Sequence, residues 1–138
     1  MSLNNIINIA GSGMSAQAIR LNTTASNIAN AENIGSSEDD VYKAKQPVFS
    51  ALLQNETENK PGLSGVRVSQ IIESGAPAQK RYEPSNPLSD QDGYVYMSNV
   101  NLIEEMANMI SASRSYQNNV EVMNTAKQML MSTLKLGQ

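Results

Sequence analysis

The sequence from Leu102 to Leu136 reads LIEEMANMISASRSYQNNVEVMNTAKQMLMSTLKL, and this stretch decides the fold. Apolar residues recur three and four positions apart along it, at Leu102, Met106, Met109, Tyr116, Val120, Met123, Leu130 and Leu134. This spacing predicts a helix that packs lengthwise on another helix, and Ser113 and Lys127 interrupt the apolar row. Such a helix would extend roughly 50 Å, so it needs a partner of similar length.

Residues 3–31 supply the predicted partner helix. Four apolar residues recur every seven positions in it, at Ile7, Met14, Leu21 and Ile28. Gly11, Ala18 and Ala25 lie beside this row and would let another backbone approach closely. Arg20 is the only ionised side chain in the segment, whose polar positions are otherwise Asn, Ser, Thr and Gln. Because an ion is costly to bury, we interpret this helix as enclosed by protein on more than one side.

The segment 32–98 differs in composition, because it contains all five prolines and most of the charged residues. Its alternating patterns predict three short strands, at 41–49, 66–72 and 94–97. We expect Pro47 to end the first of these strands and the later prolines to exclude regular structure between Ala76 and Ser89. Polar composition predicts loops at 32–40 and 54–65.

These patterns together predict a mainly α protein. Long N- and C-terminal helices are expected to pack as an antiparallel coiled-coil-like pair, with a small irregular β-rich central insert. The expected division has three parts: an N-terminal helical part at 1–31, a central part at 32–98 and a C-terminal helical part at 99–138.

The composition argues against most chemical functions. The chain has no Cys and no His, so thiolate chemistry and the commonest general base and metal ligand are missing. A net charge of −3 gives no basic footprint for nucleic acid. No apolar run approaches the length of a membrane span, and the first residues lack the features of a cleavable signal peptide. We therefore expect no catalytic site, metal, cofactor or small-molecule substrate.

Several sequence motifs resemble those of a known family. The N-terminal segment carries Ala25-Ser26-Asn27-Ile28-Ala29-Asn30-Ala31, and the C-terminal segment carries Glu105-Met106 and Arg114-Ser115-Tyr116-Gln117. These motifs and their order resemble the bacterial flagellar basal-body rod proteins. The central Tyr82–Leu88 tract and the closing residues 133–138 are most similar to the C-type group of the proximal rod.

The resemblance implies a structural role rather than an enzymatic one. It implies a subunit of the proximal rod that assembles through its terminal helices into a helical tube, which transmits torque and surrounds the export channel. The implied partners are copies of the chain, other rod proteins and the flagellar export apparatus, without nucleic acid or membrane insertion. The implied location is the basal body, in the rod that crosses the periplasm, reached without a cleavable signal peptide.

The resemblance also assigns residues to the assembly interface, and Arg114 and Tyr116 are expected to anchor contacts between subunits. The alternative is that these two residues tie together the two helices of one chain. The full expected interface consists of Ile7, Met14, Leu21, Asn22, Ala25, Asn27, Ile28, Asn30, Met106, Met109, Arg114, Tyr116, Asn119, Val120, Met123 and Leu130. Asn22, Asn27 and Asn30 are expected to be buried and hydrogen-bonded in the assembled state.

A chain with amphipathic ends around a small module is also compatible with a second class of function. This class is a soluble helical adaptor or an export chaperone of a secretion system. The uncharged first helix disfavours this class, since a soluble adaptor needs a solvated, charged face.

Overall fold

The computed structural model of the chain describes residues 3–52 and 65–136. Two long helices lie at the ends of this part of the chain, α1 (Leu3–Ala29) and α2 (Leu102–Leu136). The strands between them are β1 (Ile34–Gly35), β2 (Lys45–Leu52), β3 (Gly65–Glu73), β4 (Gln79–Tyr82) and β5 (Tyr94–Met97). The prediction of two long terminal helices around a small β insert is confirmed.

The strands form two separate antiparallel sheets. One has the order β1-β5-β4, and the other consists of β2 paired with β3. The strands expected near 66–72 and 94–97 are therefore confirmed as β3 and β5. Of the loop expected at 54–65, Gly65 begins β3 and the rest lies outside the described residues.

Two expectations based on proline were wrong. Pro47 does not end a strand but lies inside β2, where it pairs with Ile71. A two-stranded sheet leaves one edge of β2 unpaired, so a residue without an N–H is tolerated there. Regular structure also occurs within 76–89, because β4 occupies the prolineless interval after Pro77.

Helix α1 is covered by its own chain on two sides, since it packs against α2 and also against β2 and β3. Ser12 joins it to the second of these strands. Its hydroxyl accepts a hydrogen bond from the Val66 N–H at 3.1 Å and donates one to the Ile9 carbonyl at 2.7 Å. Among the described elements, α2 packs only against α1. This difference leaves α2 much the more exposed of the two helices.

Asn101 fixes the start of α2. Its side-chain oxygen accepts hydrogen bonds from the backbone N–H groups of Ile103 at 3.1 Å and Glu104 at 3.4 Å. This is an N-cap, which satisfies donors that the first helical turn leaves without partners. Glu104 and Glu105 follow in the first turn, where negative charge is favoured by the helix dipole.

A tight turn at Gly93 joins the Asp90 region to β5. Gly93 has a φ of +82°, a left-handed conformation that suits glycine. A Cβ atom at this position would lie 2.9 Å from Cε2 of Tyr82. Tyr82 in turn packs edge-on against Tyr94 of the neighbouring strand, with 5.3 Å between ring centroids. The turn and the aromatic pair therefore depend on one another.

We expect Gly93→Ala to lower the free energy of unfolding by about 1–3 kcal/mol, because it adds both backbone strain and a steric clash. Gly75→Ala is the matched control, since no atom lies within 4 Å of a Cβ at Gly75. Urea unfolding followed by circular dichroism should separate the two variants. Equal stability of both would contradict the assignment of strain to Gly93.

Glu83 lies at the end of β4, beside the same turn. Hydrogen bonds from Asn86 and then from Arg81 hold the pKa of its carboxyl below the usual range. The Arg81 Nε–Glu83 Oε1 distance is 2.7 Å. A lowered pKa means that this stabilising contribution is present near neutral pH and is lost as the pH falls through that pKa. Because the carboxyl is exposed, solvent screening keeps the contribution small.

Candidate assembly interface

A pair of asparagines joins the helices to the central segment, and Asn27 is the first of them. It lies in the last turns of α1 and is 1% exposed. Its Nδ2 donates to the Lys45 carbonyl at 2.8 Å, and its Oδ1 accepts from the Lys45 N–H at 2.9 Å and the Tyr42 hydroxyl at 2.8 Å. The amide thus binds the backbone of Lys45 as a neighbouring strand would. Asn27 fixes the start of β2 on the end of α1.

Asn99 is the second joining residue, and it lies just before α2. Its Oδ1 accepts from the Ala44 N–H at 2.7 Å, and its Nδ2 donates to the Ala76 carbonyl at 2.7 Å. Ala44 and Lys45 are therefore held between one asparagine from each end of the chain. A small apolar cluster of Ala31, Ala44 and Val100, with Tyr42 packed against it, lies at the same place.

The contact between α1 and α2 is centred on small and polar residues. On α2, the buried positions are Glu105, Ala112 and Ala126, and the half-buried Asn119 completes a spacing of seven residues between them. Ala112 is 0% exposed. On α1, Gly13 faces Asn119, whose Nδ2 would lie 3.0 Å from a Cβ at that position. Small residues let the two backbones approach closely, as the sequence had indicated for α1.

The larger apolar residues of α2 mostly stay outside this contact. Met109 and Met123 are half-buried beside it, whereas Met106 and Leu134 are more than half exposed. As a contact within the chain, the predicted apolar seam is therefore wrong for five exposed residues, which are Leu102, Met106, Tyr116, Leu130 and Leu134. The other exposed large apolar residues of α2 are Ile103, Ile110, Val122, Met129 and Met131.

The exposed residues of α1 carry no charge. They lie along one face of the helix and are Asn4, Asn8, Ser15, Asn22, Ala25, Ser26 and Ala29. Its single cation, Arg20, is half-buried and donates from Nη2 to Oδ1 of Asn108 on α2 at 3.1 Å. An uncharged, open helix face in an acidic protein is unusual for a surface meant to stay in water.

The structure places the expected interface residues in three environments. Asn27 is buried inside its own chain, so its burial needs no second subunit. Exposed in the chain are Asn22, Ala25, Met106, Arg114, Tyr116 and Leu130. Half-buried are Ile7, Met14, Leu21, Ile28, Asn30, Met109, Asn119, Val120 and Met123. Asn30 also has a partner in its own helix, because its Nδ2 donates to the Ser26 carbonyl at 2.8 Å.

Sequence reasoning overlooked the alanines of the seam. Ala112 and Ala126 stand fourteen residues apart, with Asn119 midway, and this repeat was readable from the sequence. It was passed over because larger apolar residues in the neighbouring row carried a stronger hydrophobic signal. The joining role of Asn99 had no such signal, since its partners lie far away along the chain.

Protein-family models match both ends of the chain. Residues 7–32 match a model described as flagella basal body rod protein. Residues 91–136 match the C-terminal model of the flagellar basal body rod FlgEFG proteins. The chain is also 50% identical to the flagellar basal-body rod protein FlgC of Salmonella typhimurium, over the whole of both chains. The chain belongs to the flagellar basal-body rod protein family.

Other C-type rod proteins show how far this likeness extends. The FlgC protein of Yersinia enterocolitica is 52% identical over the whole of both chains. That of Borreliella burgdorferi is 35% identical over the whole chain and 99% of the relative. The rod protein described here is thus a C-type member and a structural subunit of the flagellar basal-body rod, not an enzyme. These relatives give no support to an adaptor or export chaperone.

Two further observations bear on the rod protein's surface. Within residues 3–52 and 65–136, no helix combines the length and apolar character needed to cross a membrane. Within the same residues, no group of three or more His, Cys, Asp or Glu side chains could hold a metal ion.

Proposed function

We propose that this C-type rod subunit assembles through its terminal helices into a helical tube, in which neighbouring subunits cover the surfaces that the single chain leaves open. The observation that carries this proposal is the uncharged exposed face of α1. Asn22 and Ala25 lie on that face, and neither would need an ion to be removed from water on assembly. The tube would transmit torque and surround the export channel.

We propose that α1 and α2 pair as an antiparallel coiled-coil-like unit in this tube. Three contacts support that direction. Arg20, late in α1, bonds to Asn108, early in α2. Gly13 faces Asn119, and Gly11 faces Met123, so the order reverses along the two helices. A seven-residue repeat on the contacting side of α2 is the spacing that such pairs use.

We also propose that the chain has three parts, which are an N-terminal helical part at 1–31, a central part at 32–98 and a C-terminal helical part at 99–138. Ala31 and Val100, which flank the central part, pack in one cluster with Ala44. The central part would therefore be anchored to both helices and lie outside the tube wall that they form. The expected partners are copies of the chain, other rod proteins and the export apparatus. The expected place is the rod where it crosses the periplasm.

Several of the expected interface residues on α2 fit this proposal through their exposure. Met106, Tyr116 and Leu130 are exposed apolar residues of α2. Burying a side chain of this kind against a neighbour contributes about 1.5–3 kcal/mol. Several such residues on each subunit would supply the affinity that an open, repeating contact needs.

We test the proposal at Ile103, which is 80% exposed in the single chain. Ile103→Asp should leave the unfolding of the purified subunit within about 0.5 kcal/mol, because the position is in solvent there. In cells it should abolish swimming and completed basal bodies, since a carboxylate would be buried without a partner on assembly. Ile103→Leu is the matched control and should support normal swimming. Normal basal bodies with Ile103→Asp would contradict the burial of this surface.

A further inference from the structure

An open cleft lies where α1, β2 and the first turns of α2 meet. Its charged and polar lining includes Arg20, Lys45, Glu104, Glu105 and Asn108. Glu105, the first residue of the motif Glu105-Met106, lies at the start of the seam between the helices and also lines this cleft.

Glu105 is the unusual member of the cleft, because it is a carboxylate that is 8% exposed. Its side chain makes no hydrogen bond and no ion pair with any residue in the described ranges 3–52 and 65–136. Its carboxylate oxygens still reach solvent through the open cleft, but a neighbouring subunit that covered the cleft would have to face them with a cation or several donors. This side chain therefore has capacity for a partner that the single chain does not provide.

Two cations line the cleft, and each has a contact other than Glu105. Arg20 donates to Asn108 at 3.1 Å. The Lys45 ammonium lies 5.6 Å from the centroid of the Tyr42 ring, within range of a cation–π contact. The helix dipole favours an acidic residue in this turn but does not require its burial, since Glu104 in the same turn is exposed. Neither of these cations pairs with Glu105, so its carboxylate remains open to a cation from outside the chain.

Arg114 is a cation with the complementary property. It is exposed on α2 and makes no hydrogen bond or ion pair with the part of the chain that the structure describes. It follows Glu105 by nine residues, which is about two and a half helical turns, so the two side chains leave α2 in opposite directions. They cannot meet within one chain.

We propose that Arg114 of one copy inserts into the cleft of the next copy and pairs with its Glu105. This inference rests on the proposed function and names a contact within it. A guanidinium can form two parallel hydrogen bonds with a carboxylate, which suits an enclosed site better than an ammonium does. Because donor and acceptor lie on opposite faces, each copy can serve two neighbours at once. Such a head-to-tail contact propagates into an open helix rather than a closed dimer.

The first experiment locates the contact without altering the charged pair. Glu104→Cys, in the lining of the cleft, and Gln117→Cys, about one turn beyond Arg114, are introduced together into a chain that otherwise has no cysteine. Within one chain these positions are about 20 Å apart along α2, so a shorter bis-maleimide cannot link them intramolecularly. Treatment of isolated basal bodies should give dimers and higher multimers of the subunit. Glu104→Cys with Lys135→Cys is the matched control and should give only monomer.

The second experiment tests the charge pairing by a double-mutant cycle. Arg114→Gln should reduce the number of basal bodies per cell about tenfold or more, because Glu105 would be left without a cation when a neighbouring copy covers the cleft. Glu105→Gln removes the negative charge of Glu105 without changing the shape of the side chain. In the double variant it should therefore relieve the loss of basal bodies caused by Arg114→Gln. Purified Arg114→Gln should unfold like the parent, since Arg114 is exposed in the subunit, and the double variant should unfold like Glu105→Gln alone.

Each outcome decides the proposal. Multimers together with relief of the Arg114→Gln defect would support it. Monomer alone, cross-links only to other rod proteins, or independent and additive defects would overturn it. If it fails while Ile103→Asp still blocks assembly, the proposed tube stands and only this contact is wrong. If Ile103→Asp has no effect, the proposed function itself fails.

Discussion

Replacement of Asn27 by Asp is expected to detach the start of β2 from α1 and to cost roughly 3–5 kcal/mol of unfolding free energy. The Asn27 Nδ2 atom lies 2.8 Å from the Lys45 carbonyl oxygen. In the variant, an oxygen would replace this donor and face the carbonyl at the same distance. The side chain is 1% exposed, so water cannot solvate the new charge without opening the joint. Faster amide exchange at Lys45, with the sheet β1-β5-β4 still protected, would report the detachment.

The same substitution at Asn22 provides the control. Asn22 lies on α1 less than two turns before Asn27 but is exposed, so Asn22→Asp should change subunit stability by no more than about 0.5 kcal/mol. In urea titrations the midpoint for Asn27→Asp should therefore fall well below that for Asn22→Asp. If both variants unfold like the parent protein, the amide of Asn27 does not hold β2 in place.

The second large effect is expected at the seam between the helices, where Ala112→Asp should separate α2 from α1. Ala112 is fully buried, so a carboxylate there would be unpaired and would also overfill the contact. The expected loss of unfolding free energy exceeds about 3 kcal/mol. Cells that produce this variant should lack completed basal bodies and should not swim. Circular dichroism of the purified subunit should show loss of helix.

Ser111→Asp tests whether position rather than charge is responsible. Ser111 is adjacent to Ala112 and exposed, so the purified Ser111→Asp subunit should keep the helix content and the stability of the parent. If the Ala112→Asp variant keeps the helix content of the parent protein, this face of α2 does not contact α1.

The sequence was sufficient to predict the helices because their signal is local. An apolar repeat without Pro or Gly predicts a helix at 102–136, and α2 occupies Leu102–Leu136. The face that packs was harder to predict. Met106 and Leu134 look like core residues in the sequence, yet they are exposed. Apolar residues that serve an assembly and those that serve the subunit share one helical periodicity, so hydrophobicity alone does not separate them.

The strands show a second limit of sequence reasoning. Pro47 was expected to end a strand, but the effect of a proline on a strand depends on which edge of that strand is paired. That information is tertiary, because β3 pairs with only one side of β2. The short strand β4 was missed for a related reason. Its four residues carry little pattern of their own, and they are ordered by pairing with β5.

The candidate site was predictable in kind but not in detail. The near absence of charge in α1 indicated enclosure, and α1 is indeed covered on two sides by its own chain. The sequence placed Asn27 among the interface residues, but the structure gives it partners within the chain. It also gave no reason to distinguish Glu105 from Glu104. That difference depends on which side of α2 faces α1, which a single sequence does not reveal.

The joint at Asn27 and Asn99 has an evolutionary consequence. Apart from the Tyr42 hydroxyl, both side chains bind main-chain atoms, those of Ala44, Lys45, Ser74 and Ala76. Main-chain groups are the same for nearly every residue type. Mutations can therefore accumulate along much of the central segment without loosening its attachment, provided that the two asparagines remain. Lineages that meet different surroundings could diversify this segment freely while inheriting an unchanged pair of helices.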